Sequence, residues 1–93
     1  MKAKIWNHSV WIKECEPAAL FELFGSILRG AGFTVLDVLE HRFTPFGYTA
    51  LFLLCESHLA IHTFPEEGRT YVELSSCNYE YFTRAVARIN DID

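Results

Sequence analysis

No run of about 18 apolar residues occurs in the chain, so no segment is suited to span a bilayer as a helix and no membrane association is expected. The basic start Met1-Lys2-Ala3-Lys4 is followed by neither an apolar stretch nor a small-residue cleavage pattern, so no signal peptide is read. Cysteine is sparse. Cys15, Cys55 and Cys77 are odd in number and lack CxxC spacing, which disfavours a disulfide framework and a zinc ribbon and makes a reducing cytoplasm the expected compartment. Basic residues are few and scattered: eight Lys and Arg against twelve Asp and Glu leave a formal charge of −4. Nucleic-acid binding needs clustered cations and is therefore disfavoured, whereas a cationic small molecule would suit the charge. Linkers, repeats and low-complexity segments are absent, so residues 1–93 read as one domain.

What is present is apolar and aromatic. Hydrophobic residues make up 51% of the 93 and aromatic ones 15%, enough for a single thin core. A domain of this size buries only roughly 60 to 65% of its unfolded surface, so pairing with a second copy would help it. Ile5 to Ile12, rich in β-branched and aromatic residues, reads as a strand stopped by Glu16-Pro17. Pro17 suits a first helical position, and Leu20, Leu23, Phe24, Ile27 and Leu28 recur at the spacing of one helical face up to Gly30-Ala31-Gly32. Thr34 to Phe43 reads as a second strand and Thr44-Pro45-Phe46-Gly47 as a turn. The apolar run Tyr48 to Leu54 suggests a strand buried on both faces or lying at an interface, and Leu59 to Phe64 continues extended. A turn at Pro65-Glu66-Glu67-Gly68, a short strand from Thr70 to Leu74 and a helix capped by Asn78 complete the chain. The order β-α-β-β-β-α implies an α+β sandwich of two layers, one antiparallel sheet with both helices on one face.

Along the segment Cys55 to Glu66, a nucleophile, imidazoles and carboxylates sit on an otherwise apolar strand. In the Glu56-Ser57 dipeptide the serine hydroxyl has the carbonyl of its own preceding residue as nearest target. Attack there would turn the peptide into an ester. Elimination would leave a dehydroalanine that hydrolyses to a pyruvoyl group, a ketone able to capture an amine as a Schiff base and act as an electron sink.

Glu56-Ser57-His58-Leu59-Ala60-Ile61-His62-Thr63-Phe64-Pro65-Glu66 closely resembles the processing-site signature of the small prokaryotic, pyruvoyl-dependent S-adenosylmethionine decarboxylase proenzymes. His41-Arg42-Phe43-Thr44-Pro45-Phe46-Gly47 is similar to the family's approach to that strand, Cys77 falls where the family has its catalytic cysteine, and the likeness runs from about His8 to Asn90. The resemblance implies self-cleavage between Glu56 and Ser57, a pyruvoyl group derived from Ser57, and His62 as the base of β-elimination. Cys77 would return a proton after decarboxylation, Phe43 would stack on adenine and Glu66 would accept the ribose hydroxyls. It implies S-adenosylmethionine as substrate, spermidine synthesis as the pathway, and a homodimer with active sites at its interface. Other members act on arginine or ornithine, and some are non-catalytic partners; both remain alternatives.

Geometry bears on the dimer independently. Ser57 and His62 are five apart, so on one strand they point to opposite faces about 16 Å from each other. A two-fold partner could supply His62, Thr49, Phe43 and Glu66 to Ser57 and Cys77 of the first copy, giving two composite sites. Thr49 stands where the family usually has serine, Asn78 where glycine is typical, and the family's further strand does not follow the second helix in this sequence. His58 and His62 would pair as metal ligands on a helix, but their neighbours argue strand and no third ligand is evident, so no metal is expected. His8 and His41 are expected at strand ends or in the core, Cys15 and Cys55 as small buried hydrophobes, and Asp91-Ile92-Asp93 as a solvated end.

Overall fold

The computed structural model describes residues 2–93, with Met1 outside the described residues. Five strands and two helices follow in the order β1 (Trp6–Ile12), α1 (Pro17–Ala31), β2 (Val35–Arg42), β3 (Tyr48–Leu54), β4 (Ser57–Phe64), β5 (Arg69–Ser76) and α2 (Tyr79–Asn90), with a 3-10 turn at Pro65–Glu67. The architecture is the expected α+β sandwich, and the stretch expected to continue extended after Leu54 is a strand of its own that begins at Ser57. All strands belong to one antiparallel sheet in the order β1-β5-β4-β3-β2.

Alternation decides which side chains meet the helices. Tyr48, Ala50, Phe52 and Leu54 of β3 pack with Leu59 and Ile61 of β4, Val72 and Leu74 of β5, and Leu20, Phe24, Ile27, Leu28, Phe82, Ala85 and Ile89 of the helices. The alternate residues face away from the helices. Leu51 and Leu53 are therefore 42% and 53% exposed, so β3 is not buried on both faces within one chain. Leu39, Trp11 and Phe64 lie on the same uncovered face and are exposed as well.

The helices are fixed at their ends by local chemistry. The Glu16 carboxylate accepts from the Ala19 N–H while Pro17 supplies a preset φ, and α1 closes at Gly32 with φ 114°. A side chain at Gly32 would also meet the Tyr81 ring at 2.6 Å, so glycine is required there twice over. Asn78, next to Cys77, caps α2 by accepting from the Tyr81 N–H at 3.0 Å, which starts that helix at Tyr79.

Candidate active site

β3 and β4 form a hairpin in which Leu54 pairs with Ser57, so Cys55 and Glu56 alone make the turn. The second position of so short a turn has φ of 58° in Glu56, a left-handed conformation in which residues with a Cβ are uncommon. The peptide between Glu56 and Ser57 thus leaves a strained residue and enters a paired strand. Cys55, at the tip, is exposed, and Cys15 is half-buried; neither is the buried hydrophobe expected from sequence, because a turn position and the loop before α1 leave them in reach of water.

The strand register brings Ser76 of β5 opposite Ser57, and the chain beyond Ser76 carries Cys77 against the turn. The Cys77 thiol lies 3.3 Å from the Glu56 carbonyl oxygen and 3.2 Å from its carboxylate. That carboxylate, as hydrogen-bond acceptor, is the main cause that raises the thiol above its ordinary pKa, with burial and the carboxylate's charge adding to it. The thiol therefore keeps its proton at neutral pH. Ser57, on the helix-facing side and buried, donates from Oγ to Ser76 Oγ at 2.8 Å. Ser76 was not singled out from sequence; a serine on an alternating strand carries no signal until the register aligns it with position 57. Glu56 and Cys77 also line a cavity of about 590 Å³ with Lys2, Ala3, Lys4 and Ile5.

The other sequence-predicted residues lie elsewhere. His62 is on the uncovered face, where its Nδ1 is 3.0 Å from Thr49 Oγ1. That contact fixes the orientation of the ring. Phe43, at the β2–β3 turn, is 51% exposed, and its ring meets His41 edge-on at 4.5 Å. Glu66 is exposed in the Pro65–Glu67 turn between β4 and β5. Because each strand reverses the chain, the turns bearing Phe43 and Glu66 share one end of the sheet while Glu56, Ser57 and Cys77 share the other. Seven residue steps along β4 separate the two groups by about 23 Å. His58 and His62 share the uncovered face but stand four residues apart on a strand, about 13 Å and so beyond a common ion. His8, expected at a strand end or in the core, is instead a half-buried residue inside β1 whose Nε2 lies 3.2 Å from the Asn90 side chain, a strand-to-helix tie.

One end of this α+β sandwich thus gathers a turn with a left-handed residue, a thiol on that residue's carbonyl and a serine hydroxyl beside it. Residues 14–91 match the model of the S-adenosylmethionine decarboxylase family, and the chain belongs to that family. It is 53% identical over 49 residues to the S-adenosylmethionine decarboxylase proenzyme of Prochlorococcus marinus (strain MIT 9313), a match covering 53% of this chain and 39% of that protein. It is 39% identical over 70 residues to the proenzyme of Parasynechococcus marenigrum (strain WH8102), covering 69% of this chain and 55% of that protein. The chain spans about half the length of the curated relatives it matches. The crystal structure of the adenosylmethionine decarboxylase from Aquifex aeolicus VF5 superposes with a TM-score of 0.73 at 22% identity, over 97% of this chain and 83% of that one, which shows a shared fold. None of the described helices is long and apolar enough to cross a membrane.

Proposed function

We propose that the chain is a self-cleaving decarboxylase of S-adenosylmethionine that breaks its own backbone between Glu56 and Ser57 and carries a pyruvoyl group made from Ser57. The observation that carries this reading is the Cys77 thiol on the carbonyl of Glu56, the carbonyl of a residue held at positive φ. As Ser57 Oγ bonds to that carbon, negative charge develops on the carbonyl oxygen, toward which the Cys77 thiol, 3.3 Å away, can turn its proton. The C–N bond then breaks, the serine nitrogen takes up the hydroxyl proton, and the amide has become an ester with no net change in composition. Removal of the α-proton of residue 57 expels the Glu56 carboxylate and leaves a dehydroalanine; water then replaces its nitrogen, which departs as ammonia.

His62 is the base for that α-proton, with Thr49 holding its ring. Within one chain it stands five residues along β4 from Ser57, about 16 Å away, so the base comes from a second copy. A two-fold partner laid on the uncovered face with its strands running oppositely brings its Phe43, Glu66, Thr49 and His62 over the Ser57 and Cys77 end, forming a homodimer with two composite sites. The keto group at residue 57 supplies an electron sink for loss of carbon dioxide. Phe43 offers an open ring face to adenine, and Glu66 a solvated carboxylate to the ribose hydroxyls. The protonated Cys77 thiol returns the proton to the α-carbon. The product is the aminopropyl donor for spermidine.

Intact mass under denaturing conditions, with carbon dioxide release from S-adenosylmethionine, arginine and ornithine measured in parallel, tests the reading. Two fragments, residues 1–56 and a second beginning in a borohydride-reactive carbonyl, with release from S-adenosylmethionine, are expected. An uncut chain after long incubation makes it a non-catalytic partner, and release from arginine or ornithine alone changes the substrate.

A further inference from the structure

We infer that Ser76 is a further member of the processing centre: its hydroxyl aims the Ser57 nucleophile, and the self-cleavage rate depends on it. The inference rests on the self-cleavage reading above.

Ser57 Oγ donates to Ser76 Oγ at 2.8 Å, and both residues are buried, at 7% and 0% exposed. Ser76 is itself pinned. Its Oγ accepts the Asn78 N–H at 2.9 Å and its own proton points at the Asn78 carbonyl at 3.4 Å. With the Ser57 proton directed at Ser76, a lone pair on the same oxygen is left free for the Glu56 carbonyl. His62 cannot do this in the same chain, being engaged with Thr49 on the opposite face. Cys77 does not do it either, since its thiol is on the carbonyl and carboxylate of Glu56. Ser76 is not a base, because a serine hydroxyl does not hold a second proton near neutrality. The proton lost from Ser57 Oγ ends on the Ser57 nitrogen, and Ser76 acts by orientation alone.

The size of the effect follows from the freedom that would be released. A Ser57 side chain without its partner samples three staggered wells at χ1 and about three hydroxyl positions, so one productive arrangement in about nine remains. Ser76→Ala should therefore cleave about three- to tenfold more slowly than wild type, measured by intact mass against time. Ser76→Thr, which keeps the hydroxyl, should restore the rate, and Ser76→Cys, with a weaker acceptor of similar volume, should fall between. A merely structural role is excluded by a cycle in the uncleavable Ser57→Ala background, in which Ser76→Ala should cost less stability than in the presence of the Ser57 hydroxyl. Wild-type speed in Ser76→Ala overturns the inference while leaving self-cleavage standing. Equal slowing in Ser76→Thr and Ser76→Ala, or a cycle without coupling, also overturns it. If Ser76→Ala does not fold, wild-type speed in Ser76→Cys does the same. A wild-type chain that never cleaves removes the underlying reading as well.

Discussion

Replacing Glu56 by glycine should make the uncut chain more stable and the cleavage slower. The residue before the scissile bond has φ of 58°, a conformation that costs a residue with a Cβ about 1 to 2 kcal/mol and costs glycine nothing. Glycine brings a larger unfolded-state entropy, worth about 0.5 to 1 kcal/mol against it. The net gain is about 1 kcal/mol. Unfolding entropy near 2.1 cal/mol/K per residue gives about 0.2 kcal/mol/K for this chain, so the thermal midpoint should rise by about 5 °C. The measurement belongs in the Ser57→Ala background, where the backbone stays whole. If the strain is released as the amide becomes an ester, the same 1 kcal/mol is added to the barrier in the cleavable chain, and Glu56→Gly should cleave up to about fivefold more slowly. Glu56→Gln keeps the strain but loses the charge beside Cys77, so its rate isolates the contribution of the side chain. Glu56→Asn, which tolerates the left-handed region, should resemble glycine. A midpoint that falls in Glu56→Gly,Ser57→Ala, or a Glu56→Gly rate equal to that of Glu56→Gln, would refute the idea that this turn stores energy for the reaction.

His62→Ala and Ser57→Ala should each fail to cleave alone, but when equal amounts are refolded together and pair once, about half of the His62→Ala chains should be cut, since a random two-fold assembly leaves one intact site in each mixed dimer. No fragments from the mixture would remove the composite site. Alkylation of Cys77 by iodoacetamide, followed by peptide mapping in Ser57→Ala, should set in at higher pH than for a free thiol, because the Glu56 hydrogen bond, then burial, then the Glu56 charge raise its pKa. The thiol–carboxylate contact is thus present at neutral pH and lost as pH rises through the raised value; Glu56→Gln should move the onset to lower pH, and an unmoved onset would show that Glu56 is not the cause. Tyr48, whose ring is buried and whose hydroxyl donates to the Glu40 carboxylate, should lose about 1 kcal/mol on change to Phe, seen as a midpoint lower by about 5 °C; an unchanged midpoint would mean that this bond adds nothing net.

The elements of the fold were legible because their signals are local. Pro17 and Asn78 mark helix starts by the chemistry of the first turn, Gly32 marks a helix end, and the nearly continuous apolar run from Tyr48 to Leu54, bounded by the Pro45-Phe46-Gly47 turn, writes a strand. Strand boundaries were less legible. Ser57 and His58 look like a polar break after Leu54, yet pairing with Ser76 and Ser75 draws both into β4. Cys55 and Cys15 resemble small hydrophobes in composition, but the hairpin tip and the loop before α1 expose them. The left-handed Glu56 has no signature of its own. Only the two-residue spacing between paired Leu54 and Ser57 points to it, and that spacing depends on where β4 begins.

The candidate site divides along the same line between local and long-range information. Glu56, Ser57, His62 and Cys77 could be named from residue type and resemblance, whereas their distribution over the sheet follows from topology. In an antiparallel sheet built from consecutive hairpins β2 to β5, alternate turns lie at opposite ends, so the turn before β3 and the turn before β5 share an end that the turn before β4 cannot reach. Phe43 and Glu66 belong to the first set and the scissile peptide to the second. Side-chain alternation adds a second division, placing His62 on the face away from Ser57. No rotamer change spans the length of a sheet, and it is the lengthwise separation that a second copy can close. The chemistry proposed for this chain therefore requires a second sheet running in the opposite sense, and the apolar face around Leu51 and Leu53, uncovered in the single chain, is where such a sheet would bury the most apolar surface.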